Sequence, residues 1–457
     1  MANEFVARKG LAIATASISV GTDTRVLVLG NDNIVRYRTD IVGGGGGSTV
    51  NAAGPTGSIQ LSAGALGLTG FGLVDSARGN ISFNEPGFNV AITGANNVLM
   101  GFTASINMTS GACNTIVGAG AGSALITNSG NAFYGYCAGS LNTADQNTFF
   151  GHRAGLGNTT GACNTFIGSE SGLNNSTLAG NTFVGFQSGQ LTTTACKSTF
   201  IGSFAGKNSK GNENVYIGHD SGISTGLSAP TGNVFIGIST GCVNTGDNNT
   251  FVGRFSGALN STGANNTFIG SYAGASSSTT SCNTYIGQYA GTNTSLGSGA
   301  NVAIGTCAMI YATQSSGNVA IGYQALSKNS YTLTTYNVAV GYQSGFQSGT
   351  ATSNVFMGYS SGYSITNGSC NVILGYQAGL NMTTGCANTI IGYQANGAFL
   401  SNFNSTIVIG AGAQATQNNQ LVIASPQFPV GTASSGSFTY YLNVKVNGID
   451  FKIPLYS

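Results

Sequence analysis

Short apolar runs alternate with polar loops along this chain at a nearly constant interval. A five-residue motif recurs nineteen times, reading Asn, then Thr or Val, an apolar residue, usually Ile or Val, and Gly. The motif glycines run from Gly101 to Gly410 at intervals of 16 to 19 residues, about 17 on average. Such regularity predicts a repeat architecture with one small structural unit per interval.

The five motif positions, called columns one to five here, each have their own chemistry. Column one is Asn in 17 copies, column two is β-branched in all but one, column four is always apolar and column five is always Gly. This pattern indicates a strand, and the unit is too short for a helical hairpin. Because one such unit cannot bury its apolar face alone, the sequence predicts an all-β fold: a parallel β-solenoid, or β-roll, of about nineteen 17-residue rungs.

Stacked rungs place identical residues one above another. The Asn side chains of column one are therefore predicted to form a hydrogen-bonded ladder, as at Asn114, Asn164, Asn181, Asn266 and Asn371. The column-five glycines are predicted to form corners that a Cβ would obstruct, as at Gly118, Gly168, Gly185, Gly270 and Gly375. At roughly 4.8 Å per rung the array would be about 85 to 90 Å long.

Column three is apolar in every copy and aromatic in most. Since columns two and four point to the opposite face, both faces of the strand demand burial. We expect one face to fill the coil and the other to be covered by neighbouring chains around a threefold axis, which predicts a homotrimer. The alternative is cover by loops of the same chain. The residues assigned to this inter-chain apolar stripe are Phe166, Phe183, Phe200, Phe251 and Phe268.

The chain ends differ from the repeat. We assign residues 1–42 to an N-terminal attachment module with short strands, 43–48 to a Gly-rich linker and 49–96 to a β-rich connector. Residues 97–424 form the solenoid, which closes on an atypical rung containing NNQLVIA. Residues 425–457 form a C-terminal module whose two alternating strands flank Asn447-Gly448, a type I′ hairpin signal.

Composition narrows the possible functions. Only 6% of residues are charged and the net charge is +2, which argues against nucleic acid as a partner. No apolar run is long enough to span a bilayer, so no membrane insertion is predicted. The nine cysteines lack CxxC spacing, which argues against a zinc module. Cys113, Cys163, Cys282 and Cys370 precede column one and are predicted to be buried free thiols, with inter-chain disulfides as the alternative.

Candidate catalytic chemistry is sparse. Between Asn97 and Gly410 the only acidic residues are Asp145, Glu170, Glu213, Asp220 and Asp247, which are not spaced to gather on one face. His152 and His219 each follow a motif Gly four rungs apart, and we interpret both as solvated corner residues. The sequence therefore predicts no enzyme activity, no catalytic or metal-binding residues and no cofactor.

The NTFIG and NVAIG units resemble the repeats of YadA-like heads of trimeric autotransporter adhesins. In spacing, and in the YQAG of Tyr376 to Gly379, they are more similar to repeats in fibre proteins of tailed phages and large algal DNA viruses. The opening EFVARKGL and the closing YLNVKVNGIDFKIPLY look like the terminal regions of such virion proteins. An autotransporter would need a secretion signal and a membrane-anchor barrel, and the sequence predicts neither; it likewise predicts no self-cleaving chaperone domain of the kind that ends many viral fibres.

The resemblance implies a structural fibre or spike protein of a virus or phage, assembled in the host cytoplasm and displayed on the virion surface. It would be anchored to the virion through its N-terminal module and bind a host-surface glycan or protein, at a ligand site that is unknown from sequence. Loop tips near Tyr331 and Tyr336, where the period reaches 19, are candidate contacts. The alternative is a cellular surface adhesin or self-assembling extracellular filament. Ice binding through column-two Thr is disfavoured because Val replaces Thr in eight copies.

Overall fold

The computed structural model describes residues 26–29, 35–38, 73–75, 78–83, 92–223, 229–294, 299–328, 334–396, 402–423, 440–446 and 449–455. The chain divides into two units, Met1–Gly67 and Leu68–Ser457. In the first unit the described residues form an antiparallel pair, β1 (Val26–Leu29) and β2 (Val35–Arg38). The rest of the predicted attachment module, the Gly-rich linker and Tyr331 lie outside the described residues.

The second unit contains a parallel β-solenoid, which confirms the predicted fold class. It begins with β3 (Leu73–Asp75) and β4 (Asn80–Phe83) and continues through twenty three-residue strands, β5 to β24. These cover, in order, Val98–Met100, Thr115–Val117, Ala132–Tyr134, Thr148–Phe150, Thr165–Ile167, Thr182–Val184, Thr199–Ile201, Val215–Ile217, Val234–Ile236, Thr250–Val252, Thr267–Ile269, Thr284–Ile286, Val302–Ile304, Val319–Ile321, Val338–Val340, Val355–Met357, Val372–Leu374, Thr389–Ile391, Ile407–Ile409 and Leu421–Ile423.

Each rung pairs in parallel with the next, and columns stay in register. Thr182, for example, pairs with Thr165 on one side and Thr199 on the other. After the column-five Gly the chain turns, and the small residue three positions later is buried in every rung. The described part of the chain contains no helix.

The stack begins one rung before the boundary predicted at residue 97. Strand β4 pairs in parallel with β5, and Asn80 occupies the column-one position, with its side-chain oxygen accepting a hydrogen bond from the Asn97 amide at 2.8 Å. Strand β3 pairs antiparallel with β4. The sequence pattern missed this rung because Asn84, not Gly, follows Phe83. At the other end β24 pairs with β23, as expected for the atypical last rung.

Near the C-terminus, β25 (Tyr440–Val446) and β26 (Ile449–Leu455) form the predicted antiparallel hairpin. Val446 pairs with Ile449, which leaves a two-residue connection. The connecting residues 447 and 448 lie outside the described part of the chain.

Column three forms the core of the solenoid, and the inter-chain stripe assigned to it from the sequence is wrong. Neighbouring rings from Phe133 to Tyr285 stack with centroids 4.7 to 4.9 Å apart and planes within 10° of parallel. The five residues assigned to the stripe, which are Phe166, Phe183, Phe200, Phe251 and Phe268, have no exposed surface within a single chain. Rings stacked at rung spacing fill the interior, so these side chains are not available to a partner.

In most rungs the fourth residue after the column-five Gly is matched in size to column three. Where column three is aromatic this residue is Gly, and a Cβ there would collide with the ring: on Gly189 it would lie 2.5 Å from Cδ2 and Cε2 of Phe183. Where column three shrinks to Ala303 and Ala320, the same position becomes Met309 and Leu326, both fully buried. Ala339 is an exception: it is followed by Gly345, against which Phe356 and Leu326 of the neighbouring rungs pack instead. The interior is therefore filled from two positions that compensate for each other.

Candidate functional site

The side chains of column one form a ladder in the wall of the solenoid, in which Ser198 and Thr406 take the place of Asn. The side-chain oxygen of Asn266 accepts a hydrogen bond from the backbone amide of Asn283 at 2.9 Å, and its Nδ2 donates to the Thr280 carbonyl at 2.9 Å. Asn114, Asn164, Asn181 and Asn371 repeat this arrangement, each donating its amide to the preceding member of the ladder. These buried amides join the rungs to one another and to the loops, which is a structural role.

The column-five glycines lie at corners where successive turns touch. The φ of Gly185 is 132°, and a Cβ there would lie 2.5 Å from the carbonyl oxygen of Gly202. Gly270 has the same relation to Gly287. Gly118, Gly168 and Gly375 likewise have positive φ and face the backbone of the following corner. The opposing atoms are backbone atoms, which cannot rotate away as a side chain can.

The outward face of the solenoid strands carries an apolar residue in column four of every rung, beside Thr, Val, Ile or Ala in column two. Columns two and four, which point away from the core, are partly or fully exposed in the rungs from β5 to β23. Ile167, Ile201, Ile269 and Ile321 in column four each keep 37 to 38% of their surface accessible. We call the surface formed by columns two and four the outer strand face. It remains exposed to solvent because only column three, the aromatic column, points into the core.

A second exposed feature follows the corner in five consecutive rungs. The residue after the column-five Gly is Tyr in each of them, and neighbouring rings stack with centroids 4.9 to 5.2 Å apart and planes within 17° of parallel. We call this set the tyrosine ladder; it consists of Tyr323, Tyr342, Tyr359, Tyr376 and Tyr393. Four members are 41 to 43% exposed and Tyr393, which is followed by Ala411 on the next rung, is 56% exposed.

Glutamine side chains lie beside the tyrosine ladder. Gln324, Gln343, Gln377 and Gln394 each follow a ladder Tyr. Gln343 Nε2 donates to Gln324 Oε1 at 2.7 Å, and Gln394 Nε2 donates to Gln377 Oε1 at 2.9 Å. Since a carboxamide has two donors and an acceptor with two lone pairs, each pair retains hydrogen-bonding capacity toward solvent.

The five acidic residues do not converge on one another. Asp145 and Asp247 accept hydrogen bonds from the backbone amides of Ser129 and Thr231 on the preceding rung. Three acidic residues pair locally, namely Glu170 with Arg153 at 3.2 Å, Glu213 with Lys197 at 3.7 Å and Asp220 with His219 at 3.0 Å. Among the described residues no cluster of three or more His, Cys, Asp or Glu side chains is close enough to hold a metal ion.

The histidines lie on the surface as predicted, but the cysteines do not lie where the sequence placed them. His152 and His219 are both exposed. Cys113, Cys163, Cys282 and Cys370 are free and exposed, so the prediction that they are buried is wrong. All four have a positive φ of 58 to 62°, because they occupy the turn just before column one. At this corner the side chain points outward, so it is exposed even though it is small and apolar.

Sequence reasoning also missed a second buried column, seven residues after the corner Gly. It contains Asn142, Asn158, Asn175, Asn244 and Asn260 in some rungs and Met108, Leu125, Ile365 and Met382 in others. Asn158 Nδ2 donates to Asn142 Oδ1 at 2.6 Å. All of these residues are buried, but they are polar in some rungs and apolar in others. The sequence therefore showed no uniform column at this position.

No protein-family description matches this chain, and no curated protein matches its sequence. Within the described part of the chain, no helix has the length and apolar character required to cross a bilayer.

Proposed function

We propose that this protein is the shaft of a homotrimeric fibre or spike of a virus or phage, which holds a host-contact surface away from the particle. The observation that carries the proposal is the outer strand face, whose column four is apolar and at least partly exposed on every rung of a stack that has no cluster of three or more His, Cys, Asp or Glu side chains among its described residues. A rigid stack built from one repeated unit suits a spacer better than a catalyst.

The proposal of a homotrimer rests on the solvent exposure of columns two and four. Monomers rarely expose contiguous apolar patches beyond a few hundred Å². Here column four is apolar and at least partly exposed in every rung, and some of its side chains, such as Ile201 and Ile269, keep over a third of their surface exposed. Threefold packing would bring three such faces together around one axis and remove all of them from water. Columns two and four thus replace column three as the proposed inter-chain surface.

The remaining parts of the proposal follow the resemblance given above. The N-terminal module would attach the shaft to the virion, and exposed residues of the shaft would contact a host-surface glycan or protein. Three copies of each contact in one fibre would let weak individual contacts give strong overall attachment. Tyr336, the most exposed large apolar side chain among the described residues at 68%, lies in one of the lengthened loops and fits such a role.

Mass in solution tests the assembly. Light scattering should give three times the chain mass of 45.9 kDa. Ile201→Asp together with Ile269→Asp should yield folded monomers, because both side chains are on the outer strand face. The matched control is Leu259→Asp, an apolar loop residue that is 56% exposed and lies off that face, and it should leave the trimer intact. A wild-type monomer would contradict the proposal.

Location tests the biological role. An antibody raised against the solenoid should label purified virus particles from a producing culture. Labelling confined to intact cell surfaces, in cultures without particles, would instead support the cellular adhesin.

A further inference from the structure

We propose that the tyrosine ladder is a binding site for an uncharged, linear polysaccharide lying along the stacking axis. The inference rests on the proposed attachment function, which it extends by naming a site and a ligand class. It is drawn from three properties of the ladder: its spacing, its lack of charge and its exposed hydrogen-bonding groups.

Spacing restricts which polymers fit. The rings repeat every 4.9 to 5.2 Å. An extended polypeptide advances by about 3.3 Å per residue, or about 6.7 Å per pair of side chains on one face, and falls out of register within two rungs. A β-1,4-linked glycan advances by the length of one pyranose ring per unit, which is close to one rung. Such a chain can present one sugar to each tyrosine.

The absence of charge restricts the ligand further. Four of the five ladder tyrosines, Tyr342 to Tyr393, lie in a stretch from residue 329 to residue 444 that contains no Asp, Glu, Lys, Arg or His, and the rung of Tyr323 carries a single charged residue, Lys328. Nucleic acids and acidic polysaccharides depend on Lys and Arg to neutralise their anionic groups, and this stretch has none. A neutral chain of hydroxyl groups needs no such partner.

The chemistry of the surface matches a sugar chain. Because interior ladder rings cover each other's faces, they present their edges and phenolic hydroxyls, and each hydroxyl can donate and accept a hydrogen bond. The carboxamides of Gln324, Gln343, Gln377 and Gln394 add donors and acceptors alongside. Tyr393 is the most exposed ladder ring, which suits a sugar ring packing against its outer face.

Calorimetry on the full-length protein tests the site. Cellohexaose and chitohexaose are long enough to contact all five rings, whereas cellobiose can contact only two. At least one of the two hexasaccharides should bind, and in the series that binds, affinity should rise at least tenfold from the disaccharide to the hexasaccharide. Laminarihexaose, whose β-1,3 linkages give a different advance per sugar, should bind more weakly. If neither β-1,4 hexasaccharide binds at millimolar concentration, the proposal is overturned.

Variants locate the binding. The triple change Tyr342→Ala, Tyr359→Ala and Tyr376→Ala should weaken hexasaccharide binding at least tenfold, and the triple Phe variant should weaken it less because it keeps the rings. Tyr136→Ala removes an exposed tyrosine at the corresponding position of a distant rung, outside the ladder, and should bind like wild type. Binding that survives the triple Ala change would place the sugar elsewhere and overturn the proposal.

The mass of the assembly separates this site from the fibre proposal. The triple Ala variant should remain a trimer while losing the sugar. If the variant instead dissociates and the wild type binds no sugar, the ladder is a contact between copies of this chain, and the glycan site is rejected while the fibre proposal stands.

Discussion

Gly189 and Phe183 fit against each other inside the solenoid. A Cβ on Gly189 would lie 2.5 Å from Cδ2 and Cε2 of the Phe183 ring, which itself stacks between Phe166 and Phe200. The glycine is thus required by the ring, and the ring fills the space that the glycine leaves. The Ala303 and Met309 pair shows the reverse solution in the same chain.

This relationship predicts strong coupling between the two positions. Phe183→Ala alone should lower the free energy of unfolding by about 3 to 5 kcal/mol through the cavity it leaves. Gly189→Leu alone should also destabilise, by overpacking and by placing a side chain at positive φ. The double variant should be more stable than the two losses combined imply, by about 2 kcal/mol or more, as measured by denaturant unfolding. Simple additivity would show that the two positions do not share one space.

The Asn ladder predicts a cost for losing one amide. Asn266→Ala removes the acceptor for the Asn283 amide and the donor to the Thr280 carbonyl, both in buried surroundings. Each group left without a partner costs about 1 to 3 kcal/mol, so unfolding should occur at clearly lower denaturant concentration. Asn174→Ala, at an exposed position, is the control and should change stability little.

A serine in the ladder should restore part of that stability. Ser198 occupies column one naturally, and its hydroxyl accepts from the Asn214 amide at 3.3 Å, longer than the usual ladder bond. Asn266→Ser should therefore fall between wild type and Asn266→Ala. If all three proteins unfold alike, the ladder contributes nothing to stability.

Corner glycines should tolerate no side chain. Gly270→Ala would place a Cβ 2.5 Å from the Gly287 carbonyl oxygen and 2.6 Å from its carbon, and only a backbone shift between rungs can relieve the collision. We expect a fall in melting temperature of several degrees or loss of soluble protein. Gly349→Ala is the control, because its nearest neighbour, the Thr366 oxygen, would be 3.0 Å away and no positive φ is involved.

Two tyrosines in the aromatic column predict a loss of stability at high pH. Burial raises the pKa of the Tyr216 and Tyr285 phenols above the ordinary value. Below about pH 10 both hold their protons whether the chain is folded or unfolded, so they add no pH dependence. Above it the unfolded chain releases protons that the folded chain retains, and stability falls as the pH rises toward the folded-state pKa.

Denaturant midpoints between pH 8 and pH 11 measure this effect. The double change Tyr216→Phe and Tyr285→Phe should flatten the decline above pH 10, whereas Tyr336→Phe, at an exposed position, should leave the decline unchanged. Equal slopes in all three proteins would contradict the assignment.

The sequence carried enough information to predict the strands, their parallel stacking and the Asn column, because each depends on residues recurring at one period. It did not reveal which face of the strand turns inward, since column three and column four are both apolar. The deciding signal was the residue four after the corner: it is Gly beside Phe183 and Leu beside Ala320. Side chains that share the interior must compensate for each other in size, so this pairing indicates column three as the interior, although Ala339 with Gly345 departs from it.

Other features depend on local geometry that the period does not encode. The exposed cysteines, such as Cys163, sit at a turn whose positive φ directs the side chain outward. The tyrosine ladder is visible in the sequence as five tyrosines following Gly, but only the stacking of the rungs shows that the rings of Tyr342 and Tyr359 lie face to face, with centroids 4.9 Å apart.

The rung-by-rung pairing of β4 to β24 bears on how the molecule would respond to a pulling force. Backbone hydrogen bonds join one turn to the next, so tension along the stack would load them directly and detach turns one at a time from an end. Each detached turn would release roughly 17 residues of slack, on the order of 55 to 60 Å when extended, in place of the roughly 5 Å it spanned while stacked. A solenoid loaded in this way would lengthen in many small steps and dissipate energy at each step. This stepwise extension would limit the peak force on the attachment points at its two ends.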